Sequence, residues 1–180
     1  MNRLGITLSA FSLFSLAVAL PTNDAAAQQT QRVSFKTPAA NTKYTQQHFV
    51  DVGDVPGHQV RVFEIHRTFP NDPPVINGVK LKEQWTRGTS DYIDTNGTAN
   101  NHVIYVMENG DKFFVRLSVL AQNNLNPDGS KKSTTSSTGP ITGGTGKFTT
   151  IKGIVRSTNV FDPKAGFNDG QTEIEYSVGN

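Results

Sequence analysis

Residues 59–69 read Gln-Val-Arg-Val-Phe-Glu-Ile-His-Arg-Thr-Phe, the longest β-prone run in the chain. Turn signals bound it on both sides, Pro56-Gly57 before and Pro70-Asn71-Asp72-Pro73-Pro74 after. Strand side chains alternate between two faces, so Val60, Val62, Glu64, His66 and Thr68 share one side and Arg61, Phe63, Ile65, Arg67 and Phe69 the other. Neither side is plainly a solvent face, which is unusual for an antiparallel strand. The face that sets a carboxylate and an imidazole among valines is read as the wall of a cavity. The competing reading is a surface Glu and His on an edge strand.

Further strands follow on either side of this run. Residues 46–52 form the strand before it. In residues 78–87, Val79, Leu81, Glu83, Trp85 and Arg87 fall on one face. The opposite face, Lys80, Lys82, Gln84 and Thr86, is wholly polar and is assigned to solvent. Residues 90–101 read as a polar loop turning at Asp94-Thr95-Asn96-Gly97. Asn109-Gly110-Asp111 between residues 102–108 and 112–120 is the sharpest hairpin signal, and Phe113, Val115, Leu117 and Val119 give its second arm one clean apolar face. Another turn at 126–129 leads into a Ser/Thr-rich strand, 131–142; a strand at 147–158 comes next. Residues 171–178 close the chain with Thr172, Ile174, Tyr176 and Val178 inward and Glu173 and Glu175 outward. About eight strands joined by short turns, without a helical period, predict an all-β fold. The expected architecture is an eight-stranded antiparallel up-and-down barrel of lipocalin-like shape, wide enough for one small ligand. A β-sandwich competes, but barrel closure removes the sheet edges and suits the even spacing.

Composition agrees with a turn-rich β protein: 35% of the residues are hydrophobic and 18% charged, both low, with Gly, Thr, Ser and Asn making up the difference. A length of 180 residues suits one domain with a real core. Residues 1–27 carry the marks of a secretory leader, with Arg3, an apolar stretch over 4–20, Pro21 as breaker and Ala25-Ala26-Ala27 as the cleavage site. The expected organisation is a leader at 1–27, a polar N-terminal arm at 28–44 in which Val33 and Phe35 alternate, and a barrel domain at 45–180. The mature protein is expected to be secreted or periplasmic, without membrane insertion. There is no cysteine, hence no disulfide and no thiolate metal site, so the core alone must hold the fold. The leader carries one base and one acid, Arg3 and Asp24, so its loss leaves the net charge of +2 unchanged. That small charge, without a basic cluster, argues against nucleic acid as a partner.

Most chemical motifs are missing. No Gly-x-Ser-x-Gly elbow is present, and Gly143-Gly144-Thr145-Gly146-Lys147 fails the Walker pattern at Ile141 and Phe148, leaving a glycine turn between strands. The histidines at 48, 58, 66 and 102 are scattered; His58 and His66 share a face but stand about 26 Å apart along a strand, so no metal site is expected. Glu64 and His66, about 7 Å apart, remain as the candidate catalytic pair. A carboxylate buried among Val62, Leu81 and Trp85 has its pKa raised by desolvation or keeps its charge through a partner; either state suits a base or an electrostatic stabiliser. Glu83, on the same inward face as Leu81 and Trp85, is a second candidate.

Val62-Phe63-Glu64-Ile65-His66 resembles the Val-Tyr-Glu-Leu-Asn strand of plant allene oxide cyclases, and residues 141–148, Ile-Thr-Gly-Gly-Thr-Gly-Lys-Phe, are similar to their Ile-Thr-Gly-Gly-Ser-Gly-Ile-Phe turn, a signature close to that of dirigent proteins. The resemblance extends more weakly from about Gly57 to the end. It implies an eight-stranded barrel with an elongated apolar cavity, commonly trimeric, in which Glu64 matches the glutamate that steers cyclisation of a fatty-acid epoxide. Pro73 lies at about the spacing of the family's water-holding proline, while His66 replaces its asparagine. Dirigent proteins imply that such a barrel can orient a substrate with little chemistry of its own.

The leading functional reading is an exported barrel that binds a small apolar molecule, with Val62, Pro73, Leu81, Glu83, Trp85 and Tyr176 as ligand contacts and no cofactor. The alternatives are a cofactor-free isomerase or cyclase acting through Glu64, and a structural or interaction module without ligand. Phe63, Ile65 and Phe69, set opposite the proposed cavity, would form an exposed apolar row. A homo-oligomer, a trimer by the resemblance, is therefore expected to cover it.

Overall fold

The computed structural model describes residues 29–125, 128–129, 131–162, 166–167 and 170–179; the expected leader and the first half of the turn at 126–129 lie outside them. Among the described residues the strands are β1 (Gln31–Thr37), β2 (Thr42–Asp51), β3 (His58–Thr68), β4 (Val75–Ile76), β5 (Val79–Ile93), β6 (Asn96–Met107), β7 (Lys112–Leu125), β8 (Lys131–Gly144), β9 (Lys152–Asp162), β10 (Gly166–Phe167) and β11 (Gly170–Ser177). They form one antiparallel sheet in the order β1-β11-β9-β8-β7-β6-β5-β3-β2, with β4 added to β5 and β10 to β9. The all-β, antiparallel class is as the alternation predicts.

The expected closed barrel is not formed by the ladder, which stays open between β1 and β2. Topology supplies the reason. Directions alternate along the sheet, so β1 and β2 at its two ends run the same way. A parallel pair needs a crossover of a dozen or more residues, whereas only residues 38–41 join these two. In effect β1 and β2 are one strand interrupted at Pro38 by the 3-10 turn Ala39–Asn41; its first part pairs with β11 and its second with β3. Side chains bridge the seam instead. Phe35 of β1 meets Phe69 just after β3 edge to face, ring centroids 5.8 Å apart. Residues 31–37 of the polar N-terminal segment pair in full with β11, and Val33 and Phe35 pack on the core.

Two other assignments need correction. On β3 the alternation is as expected but the faces are reversed: Phe63, Ile65, Arg67 and Phe69 are buried, while Val62 is exposed and Glu64 and His66 lie on the outer side. Burying the three large apolar side chains contributes roughly 1.5–3 kcal/mol each, more than the Val-Glu-His face could offer. On β5 a bulge intervenes, for Leu81 pairs with Met107 and Glu83 with Val106, leaving Lys82 as the extra residue. A bulge shifts the alternation by one. Val79 and Leu81 point inward before it, and Gln84, Thr86 and Ser90 point inward after it. Glu83, Trp85 and Arg87 therefore turn outward, and the presumed solvent face is half buried.

The expected loop at 90–101 is instead the end of β5 and the start of β6, with a tight turn at Asp94 and Thr95, both at positive φ. Most of its polar residues, Asp91, Asp94, Asn96, Thr98 and Asn100, face solvent from the outer side of these strands, while Ser90 and Asn101 face inward. The hairpin at Asn109-Gly110-Asp111 is as expected, with Gly110 at φ +87. The inward row Phe113, Val115, Leu117 and Val119 and the inward Thr172, Ile174 and Tyr176 are also as read. The core fills the end of the sheet where Ile76, Leu81, Met107, Phe113, Phe148 and Ile174 are fully buried.

The glycine turn after β8 builds the floor of this core. Thr145 N–H donates to Lys112 O at 2.8 Å, Lys147 N–H donates to the Asp111 carboxylate at 3.0 Å, and Phe148 plugs the sheet's end.

Candidate functional site

Toward the β5–β6 turn the interior is not filled. A cavity of about 150 Å3 lies there. Phe63, Ile65, Val103, Leu117 and Val119 form an apolar wall, and Ser133, Thr135 and Ser137 of β8 a hydroxyl-rich one. Arg61, Tyr92 and Thr95 border both this cavity and a surface depression beside Phe49 and Gly57, which marks that end as the entrance. Gly88 keeps the wall thin: a Cβ there would run into the Asn101 amide and come within 2.9 Å of the Phe63 ring.

Two arginines of the β3 inner face border the cavity at different depths. Arg61 sits near the entrance in a cage of aromatic rings, its guanidinium 4.6 Å from the Phe63 centroid, 5.2 Å from Tyr44 and 5.9 Å from Tyr92. Such contacts stabilise a cation without a counter-ion. Hydrogen bonds to Gln47 Oε1 at 3.2 Å and Ser90 Oγ at 3.3 Å orient it. Arg67 lies deeper and is only 9% exposed. Its Nη1 donates to Thr86 Oγ1 at 3.5 Å, and burial pulls its pKa below the usual guanidinium range. The phenol of the adjoining, fully buried Tyr105 is pushed upward by the same desolvation.

The residues expected at the site lie elsewhere. Val62, Glu64, His66, Glu83 and Trp85 are all on the outer face, brought together across the β3–β5 ladder. Glu64 accepts from Thr45 Oγ1 at 2.7 Å and pairs with Arg87 Nε at 2.6 Å. The Thr45 hydrogen bond first, and Arg87 after it, hold the Glu64 carboxyl below the usual carboxylate range. His66 Nε2 and Glu83 Oε2 are 2.7 Å apart. Burial works against the charge on Glu83, but hydrogen bonds from His66 and Trp85 leave that carboxyl below its ordinary value. The cluster thus satisfies its own hydrogen bonds.

The remaining expected contacts also miss the cavity. Leu81 and Tyr176 belong to the closed end of the core, the Tyr176 hydroxyl accepting from Asn77 N–H and donating to Gln31 Oε1, both at 2.7 Å. Pro73 lies in the connection between β3 and β4. Arg67, Gln84 and Asn101, which do line the cavity, were not singled out by sequence reasoning. The usable signal was the company Arg67 keeps, since it shares its strand face with the three largest apolar residues of the run. Comparison with protein-family models, curated proteins and solved structures gave no match.

Proposed function

We propose that the protein is an exported binder of a small, largely apolar molecule, which it encloses inside an eight-staved barrel of allene oxide cyclase type, β1 and β2 counting as one stave. The observation that carries this reading is the interior cavity of about 150 Å3, walled by Phe63, Ile65, Val103, Leu117 and Val119 where the core runs on toward the β5–β6 turn. Natural cores are packed to crystal-like density, so a gap of this size flanked by polar groups is a place for a ligand. Binding is favoured over cyclisation because Glu64 is engaged with Thr45 and Arg87 on the other side of the sheet, and among the described residues no carboxylate or imidazole lines the cavity. Phe63, Ile65 and Phe69 are covered by the protein's own interior, so no second copy is needed to bury them.

Mass spectrometry of the protein purified from its native source, before and after solvent extraction, tests the reading. A stoichiometric small molecule that disappears in a cavity-filling Val119→Phe variant supports it. A folded protein that carries none and takes up no small apolar probe refutes it. The same measurement gives the mature mass, expected to begin at Gln28.

A further inference from the structure

Arg67 is a buried cation that the chain leaves uncompensated. Its guanidinium offers five N–H donors, yet among the described residues a single long hydrogen bond, to Thr86 Oγ1, is formed. The groups that shift its proton affinity besides burial are the phenols of Tyr105 and Tyr44, and no carboxylate is among them. Acids are close in sequence, but all of those on β3 and β5 face outward. Glu64 is taken by Arg87, Glu83 by His66, and Asp91 by His58. Burying an unpaired charge is among the most costly arrangements a fold can hold.

Two further polar groups beside the same cavity are unpartnered. Gln84 stands directly opposite Arg67 in the β3–β5 ladder, and its Oε1 has no hydrogen-bond partner; Asn101 Oδ1 is likewise unpaired. Both residues line the cavity. Turning either amide over exchanges its oxygen for an N–H donor. The cavity therefore presents a fixed cation with one adaptable amide, Gln84, at its inner end, and an apolar wall beyond it in which the Asn101 amide stands level with Phe63 and Leu117.

We infer that the ligand is a small organic monoacid whose carboxylate sits on Arg67, with Gln84 beside it and the apolar body against Phe63, Leu117 and Val119. This rests on the interior-binding reading above. A cavity of this volume holds about a benzene-sized body, so the class is a short aliphatic or single-ring acid, with any longer tail directed toward Arg61. The acid would bring the anion that the fold withholds.

Titration calorimetry on the full chain tests this with hexanoate and its neutral counterpart hexan-1-ol. Hexanoate is expected to bind at least about tenfold more tightly than the alcohol, as a charge-assisted pair implies. Arg67→Met should erase that preference while leaving alcohol binding in place, and Arg67→Lys should restore part of it. Because it removes an unpaired buried charge, ligand-free Arg67→Met is also expected to melt higher than the parent. Equal affinity for acid and alcohol in the parent protein, a comparison that needs no variant, overturns the anion assignment and leaves the cavity reading standing. Failure of both probes to bind overturns both.

Discussion

The imidazole of His66 lies flat on the indole of Trp85, ring centroids 4.0 Å apart and planes 15° apart, on the outer face of the sheet. Trp85 is the single tryptophan of the chain, so its emission reports that face and not the cavity. Saturation with an interior ligand is expected to leave the wavelength and intensity of that emission unchanged. Quenching in step with binding would move the ligand to the Glu64–His66 side.

Substitutions on the two faces of β3 should separate in the same way. Glu64→Gln keeps ligand affinity, because Glu64 is bound to Thr45 and Arg87 outside. Val119→Phe fills the cavity and should abolish uptake, while changing stability by no more than about 1.5 kcal/mol because the added ring enters existing space. Equilibrium denaturation together with a binding assay on both variants checks the pair. Loss of binding in Glu64→Gln alone would return the chemistry to the outer cluster.

His58 clamps the β2–β3 connection to β5, with Nδ1 2.6 Å from Asp54 and Nε2 2.7 Å from Asp91. The Asp91 hydrogen bond first, then that of Asp54, raises the imidazole above its ordinary 6.5, while His58 lowers Asp54 below 3.8. A raised histidine contributes fully below its unfolded pKa and loses that contribution as pH climbs through the folded one. The depressed Asp54 contributes above its unfolded pKa and loses it as pH falls through the folded one. The clamp therefore stabilises most between roughly pH 4 and 6.5. The melting-temperature gap between parent and His58→Gln should be widest there and shrink toward about pH 9. A gap that is flat across this range would show that the clamp does not work through charge.

Gly144 faces backbone, not open space. A Cβ at this position would lie 2.8 Å from Lys112 O and 2.8 Å from Phe148 Cβ. Gly144→Ala is expected to cost about 1–3 kcal/mol of stability by overpacking, with ligand affinity per folded molecule unchanged. Chemical denaturation and a titration on the surviving fraction measure the two effects separately. A selective loss of affinity would contradict a purely structural turn.

Deleting Lys82 should remove the bulge and keep the faces. With the extra residue gone, strict alternation from Leu81 sets Glu83 and Trp85 outward and Gln84 and Thr86 inward, the sides they already occupy. The deletion is therefore expected to fold, with a lower melting temperature from the re-registered end of β5. Circular dichroism and thermal melting check it; no soluble folded protein would show that the bulge itself is required.

That bulge also explains how far the sequence could be read. Where one face is uniformly apolar, as with Phe113, Val115, Leu117 and Val119, alternation and sidedness are legible together. On β3 both faces mix charge with apolar groups, so the period names two faces without saying which is inside. Hydrophobic bulk, Phe63, Ile65 and Phe69 against Val60 and Val62, was the better guide. On β5 the sidedness changes at a residue with no mark of its own, because Lys82 is an ordinary exposed lysine. The polar interior misled in turn: Asn101 and Ser133 look like loop or solvent residues until a cavity is known to face them.

The pairing of β1 with β11 has a consequence for how the molecule is made. Gln31 stands opposite Tyr176, and Thr37 opposite Gly170, so among the described residues the earliest strand completes its hydrogen bonds with the latest. No amount of local hairpin formation can satisfy β1 before residues 170–177 have left the ribosome. Contacts that join distant parts of a chain are slow to form because the intervening loop must be closed first. The hairpins from β5 to β9 can assemble during synthesis, but the seam is sewn last. Until then β1 is a strand without a neighbour, and the interval between translation and closure is when this protein is most exposed to aggregation.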